Sequence, residues 1–458
     1  MNEQEDLNKK GGYKQIISVA IPLIFVMGYM GLMEFIDRTF LARYSKEALA
    51  AVTPASGINF TITSFFNGIV MYVGNFSAQY YGAGEKDKVG KIIWHGLYLS
   101  ILGGICLFII ALFSEEIFSF FGHEKDIQVL EVEYFRIVSS FAICPIIVSL
   151  LVNIYSILNR NIVILITIVI SLVSNIVLDY IMIFGKLFMP EWGVKGSAIA
   201  TVISSGIGAL ILLIYLIKSD ISKEFKLISN YKFEFKIIKE LLRYGSINGV
   251  LMFLEAVGFN LFLLIIGRQG VNELTASNIV LNISNIMFLP LFGIGMANSI
   301  IVSEYAGKKD YITIKRCTLN SLKIGYIYVI PLCLSMVLKP DLFIKPFISN
   351  DNRDMFFQVE VIVKEILKFV AMYTIFDTIN VMITGLLKGM GDIKYIMLTI
   401  LIVNAIMLSI LGIVISGNNK YTIYLAWGIY ASAVVSMSIA YIVRYRSEKW
   451  KEGSLMNI

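Results

Sequence analysis

The chain has 458 residues, of which 57% are apolar and 16% charged, and it carries a net charge of +6. A soluble domain holds about 25% charged residues, so this composition, with a mean hydropathy of +0.75, excludes a soluble enzyme and indicates a membrane protein. The basic residues are spread along the chain, which argues against a nucleic-acid footprint and fits loop topology instead.

The chain is hydrophilic through Lys14, and a long apolar run follows. That run lacks the short core and small-residue cleavage site of a signal peptide, so it is read as a retained span. Apolar runs predict spans over 16–40, 53–80, 92–113, 132–156, 162–184 and 194–217. A polar, lysine-rich stretch extends from Lys218 to about Lys239. Six more spans are predicted over 244–266, 274–305, 319–338, 362–387, 394–415 and 423–443. Each must be helical, because an open strand would leave backbone groups unpaired in lipid. Pro22, near the start of the first span, removes a backbone hydrogen bond and offers a hinge. The four cysteines lie in or beside apolar runs without a CxxC pair, and only His95 and His123 accompany them. Neither a structural zinc nor a disulfide framework is expected.

With both termini placed in the cytoplasm, inside segments collect twenty-three basic residues and outside loops ten. The bias favours that orientation. The tryptophans at 94, 192, 427 and 450 fall near span ends, where an amphipathic ring prefers to sit. The halves echo each other: Gln79–Asp87 matches Glu304–Asp310 after spans two and eight, and Trp192–Ala198 matches Trp427–Ala433 at the start of spans six and twelve. The expected fold is therefore an all-α polytopic membrane protein, with twelve transmembrane helices in two pseudo-symmetric six-helix lobes. The N-lobe takes residues 1–217, a cytoplasmic linker 218–243 and the C-lobe 244–458. Repeats of this kind are common in transporters.

A charge at the bilayer centre costs at least ~2.5–3.5 kcal/mol on insertion scales, so acids deep in spans need a partner, a proton or water. Asp179 lies in span five with Asn175 one turn earlier, on the same helix face. A carboxylate and an amide oxygen so placed suit a hard cation such as sodium; the alternative is a helix–helix hydrogen bond. Asp37, near the end of span one, is a further candidate ligand or an interfacial acid. Thr201 offers a hydroxyl from span six, or packs helices. Glu255 and Asp377 lie in spans seven and ten, as coupling acids or as buried neutral ones. Glu34 is a cavity acid or the surface partner of Arg38.

These pieces, in this order, resemble the multidrug and toxic compound extrusion (MATE) family over nearly the whole chain. The resemblance rests on Asp37 followed by Ala48–Val52, on Gln79–Gly84, Asn175–Asp179 and Gly193–Thr201, and on Asp377 followed by Gly385–Asp392. It implies two six-helix lobes around a central cavity. It also implies export of amphipathic, often cationic compounds, driven by inward flow of sodium or protons. In that family the N-lobe cation site matches Asp37, Asn175, Asp179 and Thr201, the residues that would hold sodium here. A C-lobe acidic pair in some members matches Glu255 and Asp377. The chain departs from the family pattern at Ala42 and Tyr44, where glycines are usual, and at Leu158–Asn161, where a small Gly-Asn turn is usual. The resemblance implies no enzymatic activity and no cofactor beyond the coupling ion, and a monomer in the plasma membrane. Its partners would be small amphipathic substrates and the bilayer. A lipid-linked oligosaccharide flippase of related build is the alternative.

Overall fold

The computed structural model describes residues 10–187, 189–267, 269–347, 353–416, 422–453 and 455. Among them every regular element is helical. The long helices are α1 (Tyr13–Tyr44), α2 (Lys46–Gly82), α3 (Lys86–Leu112), α4 (Lys125–Ser140), α5 (Ile143–Ile157), α6 (Asn161–Ile183) and α7 (Gly193–Lys218). They continue with α8 (Phe235–Gly267), α9 (Val271–Gly307), α10 (Tyr311–Leu338), α11 (Arg353–Met390), α12 (Ile393–Ser416) and α13 (Thr422–Arg446). Lys9, Arg268 and Lys420, counted above for orientation, lie outside the described residues.

Among the described residues ten helices are long and apolar enough to cross a bilayer, and α4 with α5, bent by 46°, makes an eleventh span. Helix α8 has 33 residues, about 50 Å at ~1.5 Å per residue against an apolar core of ~30 Å. The chain is a polytopic α-helical membrane protein, and a layout of twelve helices in two lobes fits it.

The bend corrects the expectation of one continuous fourth span over 132–156. Its cause is Pro145, which has no N–H for the Phe141 carbonyl and whose ring clashes with it. The backbone closes three-residue turns there instead, Ala142 N to Ser139 O (3.3 Å) and Cys144 N to Phe141 O (3.1 Å).

The internal repeat is visible in the turns. After α2, Gly84 is left-handed (φ +80°), and after α9, Lys309 is (φ +56°). Both turns close identically: Glu85 N bonds Tyr80 O, and Asp310 N bonds Tyr305 O, each at 3.0 Å. A second pair follows α5 and α11, at Asn159 (φ +54°) and Gly391 (φ +88°), with Arg160 N on Tyr155 O and Asp392 N on Leu387 O. Non-glycine residues rarely adopt this conformation, so its recurrence at matched positions is strong evidence of one fold used twice.

The chain divides into two compact units, one holding residues up to Ile24 with Leu254–Leu455, the other Phe25–Phe253. Within the second, the stretch after α7 is folded against α3. Phe225 is fully buried, and the Trp94 indole N–H donates to Leu227 O at 2.8 Å. His95 Nε2 accepts from Glu234 N at 2.8 Å, and Lys91 pairs with Glu234 at 2.6 Å. In the first unit, the segment after α13 closes on α10 in a corresponding way. Trp450 is fully buried, stacks on Tyr445 and donates from its indole N–H to Tyr445 O at 2.9 Å. Trp427 is likewise fully buried, with its N–H directed to Ser277 Oγ at 3.2 Å. Trp427 and Trp450 lie near the two ends of α13, and each finds an internal acceptor, which a buried indole needs.

Candidate functional site

Asp37, Asn175, Asp179 and Thr201 come from three helices and meet within one unit. Helix α1 supplies Asp37, α6 supplies Asn175 and Asp179 from successive turns, and α7 supplies Thr201. What brings α7 in is its glycine-rich opening. Gly193 is left-handed (φ +51°) and lies against the Tyr44 ring, and a Cβ on Gly196 would stand 2.6 Å from Met182 O. Only glycine lets α7 approach the α6 backbone that closely. Trp192 N bonds Met182 O at 3.0 Å and sets the register of the turn.

The quartet is buried: Asp37 is 5% exposed, and Asn175 and Asp179 are fully enclosed. Thr201 Oγ1 donates to Asp37 Oδ2 at 3.2 Å. The side chains of Asp179 and Asn175 both interact with Asp37. The remaining polar atoms, Asp37 Oδ1, both Asp179 oxygens and both amide atoms of Asn175, have no well-formed hydrogen bond. Two interacting carboxylates, whose well-formed hydrogen bonds are limited to the one from Thr201, need a proton or a cation to offset their repulsion. Arg38, the cation one residue along α1, is engaged by Glu34 and by Ser56 Oγ. Glu34 is thus placed as an exposed partner of Arg38.

Sequence reasoning missed the aromatic wall of this site. Tyr134 of α4 is 5% exposed and lies near enough to interact with the charges of Asp37 and Asp179. Tyr29 of α1 also interacts with the charge of Asp37 and with Ser171 of α6. Tyr134 belongs to one apolar cluster with Leu41, Ile183 and Ala198. Those residues sit one turn from Asp37, Asp179 and Thr201 on their respective helices.

The second acid pair is built differently. Asp377 of α11 is partly buried and receives the Asn380 amide at 3.2 Å, whose Nδ2 also reaches Val434 O at 3.2 Å. Glu255 of α8 is exposed and interacts with Asp377 through charge. Tyr430 and Tyr441 lie within the field of both acids. Tyr430 packs on Phe262 with ring centroids 4.9 Å apart, and on Tyr373 at 5.4 Å. Asn380 was missed too, although its i+3 spacing from Asp377 is a readable signal.

Both sites offer oxygen donors. Among the described residues no group of three or more His, Cys, Asp and Glu could hold a metal. In the N-lobe the donor set is two carboxylates, an amide and a hydroxyl, the chemistry that hard monovalent and divalent cations prefer.

A MatE family model matches residues 22–181 and 249–416. The chain is 26% identical to a probable multidrug resistance protein NorM from Neisseria meningitidis, over 74% of this chain and 73% of that protein. It is 27% identical to a probable multidrug resistance protein NorM from Thermotoga maritima, over 83% and 80%. Among solved structures it superposes on an outward-facing multidrug resistance MATE family transporter with a TM-score of 0.84, 17% identity and 97% of each chain covered. A MOP superfamily transporter from Pyrococcus furiosus matches with a TM-score of 0.81, 18% identity and 96% of each chain covered.

Proposed function

The chain belongs to the multidrug and toxic compound extrusion (MATE) family of membrane transporters, and we propose that it is a cation-coupled antiporter exporting amphipathic organic cations. The observation that carries the coupling is the pair Asp37 and Asp179, buried together with unpartnered oxygens. Such a pair is costly when empty and ionised, because each carboxylate is out of water and faces the other. Loading it with sodium or a proton removes that cost, so its occupancy can bias a two-state transporter. Asn175 and Thr201 add neutral oxygens that a proton does not need and sodium does. The relatives named as multidrug resistance proteins support the substrate class. They lend nothing to the flippase alternative.

In this reading the chain works as a monomer in the plasma membrane, with both termini and the 218–239 stretch cytoplasmic. The inward drive is ~2.3 kcal/mol per charge per 100 mV, with the ion gradient added. The test is export of ethidium from proteoliposomes at fixed membrane potential, with sodium and pH gradients varied independently. Export driven by neither gradient would sink the antiporter reading. Reporter fusions at both ends and in the 218–239 stretch check the orientation, and an external signal at any of them would reverse it.

A further inference from the structure

The stretch between α7 and α8 brings exposed rings and unpaired lysines together, at the level where α3 leaves the apolar part of the bilayer. Helix α3 is long and apolar enough to span, and its Ile101, Leu102, Ile105, Phe108 and Ile109 are exposed. Their spacing makes them one helix face, and in a span that face meets lipid. Tyr98 stands one turn before Ile101 and Leu102 on the same face, and Lys91 lies two turns further out. The stretch crosses α3 in this narrow zone. The Tyr98 hydroxyl donates to Tyr231 O, and the Phe233 ring packs on Tyr98 and His95, with centroids 6.0 and 5.9 Å apart. Phe233 is nevertheless 61% exposed and Phe235 71%, and Ile228 and Tyr231 are exposed with them. Apolar side chains crowded over residues 228–235 in this way mark an interaction surface.

Charge singles out the partner. The acids of 218–243 are each held by a cation: Asp220 by Arg160 at 3.2 Å, Glu224 by Lys86 at 2.8 Å, Glu234 by Lys91 at 2.6 Å and Glu240 by Arg243 at 3.7 Å. Lys226 is held by Asp87 at 3.1 Å. Lys218, Lys223, Lys232, Lys236 and Lys239 are exposed, and among the described residues they form no ion pair. Lys232 and Lys236 flank Phe233 and Phe235 in the chain, and Lys239 lies one turn along α8 from Phe235, on the same face.

We propose that residues 228–239 form a binding surface for the headgroups of anionic phospholipids. Tyr231, Phe233 and Phe235 enter the headgroup layer, where aromatic rings settle. Lys232, Lys236 and Lys239 reach the phosphates there, as basic segments beside a span do on an anionic leaflet. Position favours a lipid over a soluble acidic partner, because the rings continue the lipid-facing surface of α3, where the leaflet already is. Trp94 and Tyr98 grip the backbone of the same stretch, so lipid bound to it anchors the end of α3.

The test is hydrogen exchange over 228–239 in the full-length protein, held in nanodiscs of phosphatidylcholine alone or with phosphatidylglycerol added. Phosphatidylglycerol should slow exchange in the wild type by about fivefold or more, the effect of a single lysine near an anionic surface. Concentrated salt should remove that gain. Lys232→Gln, Lys236→Gln and Lys239→Gln combined should abolish the gain and leave exchange in phosphatidylcholine unchanged, since all three side chains lie at the surface. Glycerol phosphate, the same headgroup free in solution, should give no gain in phosphatidylcholine nanodiscs. Equal exchange in the two lipids, or a full gain in the triple variant, would overturn the surface. A gain from glycerol phosphate as large as that from the lipid would overturn it too, in favour of a site for soluble anions.

Discussion

In the N-lobe, Asp37 and Asp179 are both buried and leave oxygens without a donor, whereas in the C-lobe Glu255 is exposed and Asp377 is satisfied by Asn380. The folds around them are repeats, with matched left-handed turns after α2 and α9 and after α5 and α11. One scaffold thus carries two acid pairs of unlike chemistry. An enclosed pair with free oxygens responds to a small cation. An exposed acid near Tyr430, whose ring packs on Phe262 and Tyr373, suits a larger, flatter charge that can lie on rings. The difference teaches that the repeat does not fix where the acids sit: Asp377 is on α11, the counterpart of α4 and α5, whereas Asp179 is on α6, and the residues around each pair decide what it binds.

The largest effects belong to the enclosed pair. Asp37→Asn or Asp179→Asn removes a charge that the cation would neutralise. At ~2.5–3.5 kcal/mol for such a charge, the loss in cation affinity is about a hundredfold, and gradient-driven export should vanish. Asn175→Ala and Thr201→Ala each remove one neutral donor, worth ~1 kcal/mol, or about fivefold in sodium affinity. Their effect on proton-driven export should be smaller. Sodium titration calorimetry and export assays on the four variants check this order. Equal sodium and proton losses in Asn175→Ala and Thr201→Ala would remove the case for a sodium ligand set.

The C-lobe pair should respond more weakly to charge removal. Glu255→Gln alters a solvated group, with an effect of about twofold on coupled export. Asp377→Asn, partly buried and hydrogen-bonded, should cost about fivefold. Affinity for ethidium should drop more than affinity for sodium in both. If either variant loses coupling as completely as Asp37→Asn, the proposed division between the lobes is wrong.

Much of this was legible in the amino-acid order. Spans show as apolar runs because lipid tolerates nothing else, and intramembrane acids stand out because they are costly. The N-lobe quartet was readable from Asn175 and Asp179 at i, i+4, together with the family pattern around Asp37 and Thr201. The break in the fourth span was present as Pro145, a signal as plain as Pro22. Tyr134 and Tyr430 were not readable. They reach the acids from other helices, and in a chain with 24 tyrosines nothing local distinguishes them from packing residues. The fold of the stretch after α7 was hidden for a similar reason. Its polarity suggests a solvated connection, but its hold on α3 comes from Phe225 and from backbone groups meeting Trp94 and His95.

The smallest effect separates the two straps, the one after α7 and the one after α13. The first is tied to α3 by hydrogen bonds through backbone groups, from Trp94 to Leu227 O and from Glu234 N to His95. The second relies on Glu448, which accepts from Lys315 of α10 and from Lys451 at 2.5 Å. Lys315 first, and Lys451 second, hold the Glu448 carboxyl down at about 2. A depressed carboxylate contributes stability above its unfolded value, ~4.3 for glutamate, and loses it as pH falls from there through about 2. The group is solvated, so the contribution is small and weakens with salt. Hydrogen exchange over 447–453 should therefore rise a few-fold in Glu448→Gln at neutral pH, and in the wild type on acidification through the same window. Exchange over 225–234 should not follow Glu448→Gln, and export should be unchanged. Protection of 447–453 that is indifferent to both Glu448→Gln and acid would show that the buried Trp450, rather than the charge, holds the C-lobe strap, and the two straps would then be alike.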